Sequence, residues 1–303
     1  MSLLVVGSVA LDSVETPFGK ADEVLGGSAT FFSASASLLS RVQVVGVVGD
    51  DYPVASLKPL EQRGVDFAGL ERAKGASFRW RGRYRHDLNV AETLETQLGV
   101  FSNFRPKIPA QFRKAPFVFL GNIDPRLQLD VLTQVDKPKL VVCDTMNFWI
   151  ESRRPDIVKL LGHVNAIMLN DGEARQLTDH NNLVKAAKWI MSKGPTLVVI
   201  KKGEHGAFMF TPKTVFFAPA YPLEEVFDPT GAGDSFAGGF MGYLARSGDI
   251  SDANLRRAVI YGSAMGSFAV EKFSIERLLE IDAKALTARV ADFRKLVAFE
   301  EEL

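Results

Sequence analysis

Residues 228–239 read DPTGAGDSFAGG and lie between the segment 221–227 and a run of small residues with helical spacing. Gly231, Ala232 and Gly233 leave their backbone N–H groups unshielded at the start of the predicted helix, where an anion such as phosphate binds readily. Asp234 follows in the first turn, where a carboxylate can accept the proton of an attacking hydroxyl group. A plain glycine turn, with Asp234 stabilising the helix dipole, is the simpler interpretation. The full twelve-residue string favours the phosphate site.

Short apolar runs alternate with helical patterns along the chain. Strands that alternate with helices predict an α/β fold with a mostly parallel sheet and helices on both faces. The predicted strands are 3–6, 42–48, 117–120, 140–143, 166–169 and 197–200. The predicted helices are 28–40, 54–63, 127–135, 153–162, 172–178, 182–193, 234–247, 251–269 and 274–299.

One segment departs from this pattern, because aromatic residues and a glycine alternate with arginines at strict period two over 78–85. Such alternation predicts a half-exposed antiparallel strand rather than a buried parallel one. Residues 13–25 are rich in turn formers, and we group both stretches as a small β lid at the carboxyl edge of the sheet. The predicted lid comprises 13–25 and 65–103, and the predicted core comprises 1–12, 26–64 and 104–303.

The composition argues against several classes of protein. Lys+Arg 36 and Asp+Glu 36 give a formal charge of zero, whereas nucleic-acid binding needs a basic surface. No apolar run approaches the roughly 18 residues that cross a bilayer, so neither a membrane nor a nucleic acid is an expected partner. Cys143 is the single cysteine, which excludes an internal disulfide and indicates the reducing cytoplasm. The first strand lacks the Gly-x-Gly-x-x-Gly of a dinucleotide dehydrogenase, and the histidines lack zinc-site spacing.

Residues 228–241 resemble the second signature of the ribokinase, or PfkB, family of carbohydrate and nucleoside kinases. Other motifs of that family have counterparts in the same order over nearly the whole chain. They are Gly7 with Asp12, the diglycine Gly26-Gly27, the strand and turn 45–51, the Asn-x-x-Glu motif 170–173 and the strand end 201–206. The resemblance implies a ribokinase-like fold in which a small β-sheet covers the substrate.

On the acceptor side, the resemblance implies that Asp12 accepts hydrogen bonds from two substrate hydroxyls. The backbone at Gly26, Gly27 and Ser28 would approach the sugar, because missing side chains leave room there. Asp234 would be the base beside the anion hole.

On the nucleotide side, the resemblance places a second group of residues around ATP. They are Asn170, Glu173, Lys201, Gly203, Gly206, Gly231 and Gly233. Glu173 would order the water shell of Mg²⁺ beside the phosphates. Asp228 and Thr230 resemble positions that bind a monovalent cation, for which K⁺ is the candidate.

Each motif also has a purely structural interpretation, which the sequence leaves open. Asp12 can be a turn residue at a strand end, and Gly26-Gly27 can be a tight turn before a helix. Asn170 with Glu173 has the spacing of a helix capping box. The segment 203–206 can be a hairpin turn.

The chain departs from the family at the fourth position after the diglycine, where ribokinase-like enzymes usually have Asn and this chain has Phe31. An apolar ring suits an acceptor that carries a base better than a bare polyol, because unpaired polar groups are costly. Residues 146–149 add aromatic side chains at the same sheet edge, either to stack a base or to fill the core. Asn122, after the strand 117–120, is a further candidate partner for an acceptor hydroxyl.

The arginines of the lid strand have two interpretations. They can form a solvated lid face. Alternatively, Arg81 and Arg83 bind an anionic acceptor such as a phosphosugar through bidentate hydrogen bonds.

We therefore predict a kinase that transfers the γ-phosphate of ATP, with Mg²⁺, to a hydroxymethyl group of a sugar or sugar-like acceptor. A nucleoside kinase on the same fold is the nearest alternative, and a non-catalytic nucleotide-binding regulator is the alternative from another class. The exposed lid strand can pair with a second copy of the chain, so a homodimer through the lid is a further prediction.

Overall fold

The computed structural model describes residues 1–298 and contains two β-sheets surrounded by helices. The strands are β1 Ser2–Val6, β2 Ala10–Thr16, β3 Gly19–Gly26, β4 Arg41–Val48, β5 Val65–Arg72, β6 Phe78–Tyr84, β7 Ala91–Gln97, β8 Phe117–Leu120, β9 Leu140–Asp144, β10 Ala166–Asn170, β11 Leu197–Lys201, β12 Ala207–Phe210 and β13 Val215–Ala218. The helices are α1 Ser28–Ala36, α2 Lys58–Gln62, α3 Pro125–Leu132, α4 Asn147–Leu161, α5 Asp171–Thr178, α6 Leu183–Met191, α7 Ala232–Ser247, α8 Asp252–Ala269, α9 Glu276–Glu280 and α10 Ala283–Val297. Within residues 1–298, none of these helices is long and apolar enough to cross a membrane.

The larger sheet has nine strands in the order β13-β12-β11-β10-β9-β8-β1-β4-β5. Neighbours from β5 to β11 run parallel, and β12 and β13 add antiparallel pairs at one end. Strands β8 and β9 are buried along their whole length, which is why they read as continuous apolar runs. The carboxyl ends of the parallel strands meet at one edge, so the ends of β9, β10 and β11 bring Asp144, Asn170 and Lys201 together there.

The smaller sheet has the order β3-β2-β6-β7 and forms the lid. Strand β5 corrects one predicted boundary, because it pairs in parallel with β4 in the larger sheet, whereas the predicted lid includes all of 65–103. As an edge strand it keeps half-exposed and exposed residues along most of its length, so its sequence lacks the apolar run of a central strand.

Two predicted helices differ from the structure. Helix α4 begins at Asn147, and its first half escaped prediction because the helix breaks at Arg153, where φ is −141°, just ahead of Pro155. The predicted helix 274–299 consists of two helices, since Ile281 is extended and Asp282 caps α10 by accepting a hydrogen bond from Ala285 N. Residue 299 lies outside the described residues.

Close packing of α1 on α7 fixes the start of α7 at the carboxyl edge. A Cβ at Gly238 would overlap the backbone carbonyl of Phe32, so only glycine permits this approach. The Ser35 hydroxyl donates to the carbonyl oxygen of Ser235 over 2.6 Å, and Phe32 stacks on Phe119 of β8 with ring centroids 4.4 Å apart. The first turn of α7 is thereby held against the sheet.

Candidate active site

The predicted anion hole, residues 231–233, lies at the N-terminus of α7. Gly231 is the N-cap residue, with φ +72° and ψ 3°, a left-handed conformation that glycine adopts without strain. A Cβ at Gly231 would overlap the ring of Phe31, which packs against the loop and is only 2% exposed. The predicted wall residue Phe31 therefore lies beneath the anion hole, and most of its ring is covered by the loop.

Asp234 lies in the first turn of α7, as the sequence predicted. Its carboxylate has no hydrogen-bond partner within residues 1–298. Its pKa is raised to about 7, mainly by burial and also by the charge of Asp144, while Lys201 opposes both effects. A carboxylate with a pKa near neutral and no partner is suited to accept a proton at physiological pH.

Asp12 is buried in β2, and a Cβ at Gly26 would overlap its carboxylate. The pKa of Asp12 is raised to about 7, mainly by burial and also by the charges of Asp228 and Asp234, while a hydrogen bond from the Gly27 backbone opposes the rise. Gly27, with φ +91°, leaves no room for a Cβ beside the carbonyl of Ser8. The diglycine thus brings the backbone close to Asp12.

Ser28 forms reciprocal hydrogen bonds with Ser8. Its hydroxyl accepts a hydrogen bond from Ser8 N over 3.1 Å, and Ser28 N donates to the Ser8 hydroxyl over 2.9 Å. Ser28 therefore secures the turn at Gly26-Gly27, and its predicted contact with the substrate stays a prediction.

Glu173 forms the capping box that its spacing allows. Its Oε2 accepts a hydrogen bond from Asn170 N, and its own N–H donates to Asn170 Oδ1, both over 2.7 Å. The pKa of Glu173 is raised to about 7, mainly by burial and also by the charge of Asp144, while Lys201 opposes the rise. The second carboxylate oxygen is left for a ligand.

Glu173 and its neighbours could hold Mg²⁺ only together with the phosphates of a bound nucleotide. No group of three or more His, Cys, Asp or Glu side chains in the described part of the chain could hold a metal ion alone. Magnesium commonly keeps several waters and binds one or two carboxylates together with substrate phosphates, which the position of Glu173 allows.

An ion pair joins the ends of β9 and β11. Lys201 Nζ lies 3.2 Å from Asp144 Oδ2, and the two side chains are 16% and 7% exposed. Lys201 belongs to the predicted ATP-binding residues, whereas Asp144 does not. The signal available was a carboxylate that directly follows a fully apolar strand, at the edge where parallel sheets bind ligands.

Gly203 and Gly206 are explained by backbone geometry in this structure. A Cβ at Gly206 would overlap the carbonyl of Ala218, and a Cβ at Gly203 would overlap the side-chain oxygen of Asn89, which reaches over from the lid. The lid hairpin therefore contacts the loop that the sequence analysis placed beside ATP.

Asp228 and Thr230 flank the anion hole. Asp228 accepts hydrogen bonds from Thr230 N over 2.9 Å and from Ser274 N over 3.1 Å, and the Thr230 hydroxyl donates to the hydroxyl oxygen of Tyr84 over 3.3 Å. Both side chains thus secure the loop to its neighbours. Asn122 lies at the same sheet edge, where its Nδ2 contacts Met146 Sδ at 3.0 Å and its buried Oδ1 has no partner within residues 1–298.

One face of the lid sheet is turned toward this site. Trp80 of β6 is in register with Asp12 of β2, and adjacent residues in register point to the same face. Tyr84, on the same face, reaches Thr230 beside the anion hole. The Trp80 ring lies over Gly82 and its Nε1 donates to the Thr93 hydroxyl over 3.2 Å. The alternation of aromatic residues and arginines over 78–85 is visible in the sequence, but Trp80 is not among the predicted site residues.

Arg81 and Arg83 occupy the opposite face. Arg83 Nη2 lies 3.0 Å from Glu15 Oε2, and Arg81 Nη2 lies 3.7 Å from Asp22 Oδ1. The structure therefore corrects the predicted contact of both arginines with the acceptor, because period-two geometry turns them away from Asp12.

We expect Arg83→Ala to leave the KM for the acceptor within about twofold of the wild-type value, since an exposed ion pair contributes at most about 1 kcal/mol. Steady-state kinetics with the acceptor varied at saturating ATP will measure it. A KM increase of tenfold or more would restore Arg83 to the site.

Comparisons with known proteins agree with this geometry. Residues 17–281 match the model of the pfkB family carbohydrate kinases. The cytidine kinase of Thermococcus kodakarensis is 30% identical over 252 residues, covering 81% of this chain and 89% of the relative. The ATP-dependent ribose-1-phosphate kinase of Halopiger xanaduensis is 24% identical over 86% of this chain and 84% of the relative.

Solved structures confirm the predicted ribokinase-like fold. The aminoimidazole riboside kinase of Salmonella enterica, solved with aminoimidazole riboside and an ATP analogue, superposes with a TM-score of 0.77 at 20% identity, covering 96% of this chain and 100% of the other. The family match spans most of the chain and includes the glycine loop with Asp234. The chain therefore belongs to the pfkB family of carbohydrate kinases and is an ATP-dependent kinase of small molecules that carry a hydroxyl group.

Proposed function

We propose that the acceptor is a nucleoside, phosphorylated on its hydroxymethyl group. The observation that carries this proposal is the position of Trp80 on the site-facing side of the lid, in register with Asp12. An aromatic face stabilises a stacked base by about 1–3 kcal/mol, whereas a bare sugar offers no flat partner for it. Exposed apolar side chains at the same sheet edge, Met146 and Phe148, favour the same acceptor class.

The residues divide the reaction between them. Asp12 accepts hydrogen bonds from the sugar hydroxyls and holds the hydroxymethyl group toward Asp234, which takes its proton as the oxygen attacks the γ-phosphorus. The N–H groups of 231–233 stabilise the charge on the transferred group. Mg²⁺, held through Glu173 and the phosphates, neutralises phosphate charge when bound, and the loop of Asp228 and Thr230 is the proposed K⁺ site.

A phosphosugar acceptor is the second candidate, because the Halopiger xanaduensis relative is a ribose-1-phosphate kinase. The face of the lid that carries Arg81 and Arg83 does not support it, since both side chains are paired on the far side. The nucleoside proposal agrees with the activity of the Thermococcus kodakarensis relative, which is a cytidine kinase.

A coupled ADP-release assay with Mg²⁺ and ATP tests the proposal. The panel contains cytidine, uridine, adenosine, inosine, ribose and ribose 1-phosphate, each measured over a range of concentrations. We expect the highest kcat/KM with a nucleoside. A kcat/KM at least tenfold higher with ribose or ribose 1-phosphate than with every nucleoside would refute it.

Replacing Trp80 by Leu should raise the KM for the nucleoside about tenfold and leave the KM for ATP unchanged, because only the acceptor loses a stacking partner. Arg81→Ala is the matched control, since Arg81 is the next residue of the same strand and faces the other way. Equal nucleoside KM values for the two variants would remove Trp80 from the acceptor site.

The lid is also the proposed dimer contact. Strand β7 is exposed along its whole length at the edge of the small sheet, and an unpaired edge can accept a second strand. Sedimentation equilibrium should show a dimer, and Thr93→Pro in β7 should shift it to monomer while Thr214→Pro, distant from the lid, should not. A monomeric wild type at micromolar concentration would contradict this proposal.

A further inference from the structure

The buried ion pair at the ends of β9 and β11 lies directly beside the anion hole. A Cβ at Gly233 would lie 2.9 Å from Lys201 Nζ, so the ammonium group rests against the first turn of α7. A side chain at Gly233 would therefore push the ammonium group away from its present position. The same ammonium group faces the charges of Glu173 and Asp234, in addition to that of its partner Asp144.

The lysine of this pair has unused hydrogen-bond donors. Asp144 Oδ1 accepts from Thr145 N over 2.7 Å and Oδ2 faces Lys201, so both of its oxygens are occupied. An ammonium group has three donors, and Asp144 is the only hydrogen-bond partner of Lys201 Nζ within residues 1–298. A buried charged donor that lacks partners is costly, and a bound anion would satisfy it.

A phosphate group bound at this point needs the lysine because the surrounding side chains are mostly negative. Three carboxylates face one lysine here, namely Asp144, Glu173 and Asp234. Without the lysine, the phosphate nearest Asp234 would meet only negative side chains. The N–H groups of the anion hole approach such a phosphate from α7, whereas Lys201 approaches it from the sheet.

We propose that Lys201 is a catalytic residue that contacts the transferred γ-phosphoryl group, and that Asp144 is a positioning residue that holds the ammonium group against Gly233. The acceptor oxygen forms a bond to the γ-phosphorus, the bond from that phosphorus to the bridging oxygen of ADP breaks, and Asp234 takes the acceptor proton. Lys201 stays protonated throughout and binds the charge that spreads over the equatorial oxygens.

Binding of two nucleotides, with no acceptor present, tests the contact. Calorimetry with Mg²⁺ and either ADP or the β,γ-imido analogue of ATP compares wild type, Lys201→Met and Lys201→Arg. We expect Lys201→Met to bind the triphosphate analogue about tenfold more weakly and ADP less than twofold more weakly. Lys201→Arg should retain part of the wild-type preference for the triphosphate analogue over ADP, because arginine keeps the positive charge.

Two results would overturn the proposed contact between Lys201 and the γ-phosphoryl group. Equal weakening of both nucleotides would place Lys201 on the α- or β-phosphate, and no weakening of either would make the ion pair purely structural. Lys213→Met is the control, since Lys213 lies in the exposed turn between β12 and β13. Because no acceptor enters this assay, its outcome is independent of whether the acceptor is a nucleoside.

The positioning role of Asp144 has its own test. Asp144→Asn should lower kcat about tenfold, and the double variant with Lys201→Met should be no slower than Lys201→Met alone, because the aspartate acts through the lysine. The double variant removes both buried charges, so it also shows whether any loss in Lys201→Met comes from an unpaired carboxylate. A full additional loss in the double variant would refute the positioning role.

Discussion

Replacing Asp234 by Asn should lower kcat by about 10² or more, the usual scale for the loss of a general base. The amide keeps the size of the carboxylate but cannot take the acceptor proton. Asp234 is the residue that meets all requirements at once, since it lies in the first turn of α7, beside the glycine N–H groups, with no hydrogen-bond partner within residues 1–298. The coupled ADP-release assay at saturating ATP and acceptor measures the change.

The pH dependence provides an independent readout of the same residue. With a pKa of about 7, Asp234 loses the ability to accept a proton as the pH falls through 7, so kcat/KM of wild type should fall below that pH. In Asp234→Asn this limb should become shallower without disappearing, because Asp12 and Glu173 also have pKa values of about 7 and still titrate. Asp252→Asn is the control, because Asp252 also lies in the first turn of a helix, α8. A wild-type profile that is flat from pH 5.5 to 8 would contradict the assignment.

Replacing Asp234 by Asn should raise the stability of the folded protein near neutral pH, although it lowers activity. The pKa of Asp234 rises from 3.8 to about 7 on folding, so the folded state binds more protons between these values and the carboxylate destabilises it increasingly as pH rises. The melting temperature of Asp234→Asn relative to wild type should therefore increase between about pH 4 and pH 7. A variant that is less active and no less stable separates catalysis from folding.

The sequence predicted the parts of this molecule that depend on local pattern. The apolar runs predicted the central strands, and the string around Gly231 predicted the start of α7, because both depend on residues adjacent in the chain. Strand β5 and the first half of α4 were missed, since an exposed edge strand and a helix interrupted ahead of Pro155 both lose their periodicity.

Contacts between distant residues could not be predicted in the same way. Asp144 and Lys201 are 57 positions apart and meet only because β9 and β11 flank β10. The side of the lid that faces the site is likewise set by the register of β2 with β6, which decides that Trp80 and not Arg81 shares a face with Asp12. A period-two pattern gives two faces but does not say which one is covered.

Replacing Gly231 by Ala should lower kcat about 10²-fold and also lower stability. A side chain at φ +72° costs about 1 kcal/mol, and the added Cβ would overlap the ring of Phe31, which is too buried to move aside freely. The loop must shift instead, and a displacement of about 1 Å in groups that align a reaction can cost about 10² in rate.

Gly64→Ala separates strain from displacement, because Gly64 has φ +86° and a Cβ added there would meet no atom within 4 Å among the described residues. It should lose about 1 kcal/mol of stability in denaturant unfolding and keep the wild-type kcat. Adding Phe31→Ala to Gly231→Ala removes the overlap but not the strain, so kcat should recover in part while the strain remains. A Gly231→Ala enzyme with wild-type kcat would show that the N–H groups of this loop do not need their present positions, and the anion hole would then have to lie elsewhere.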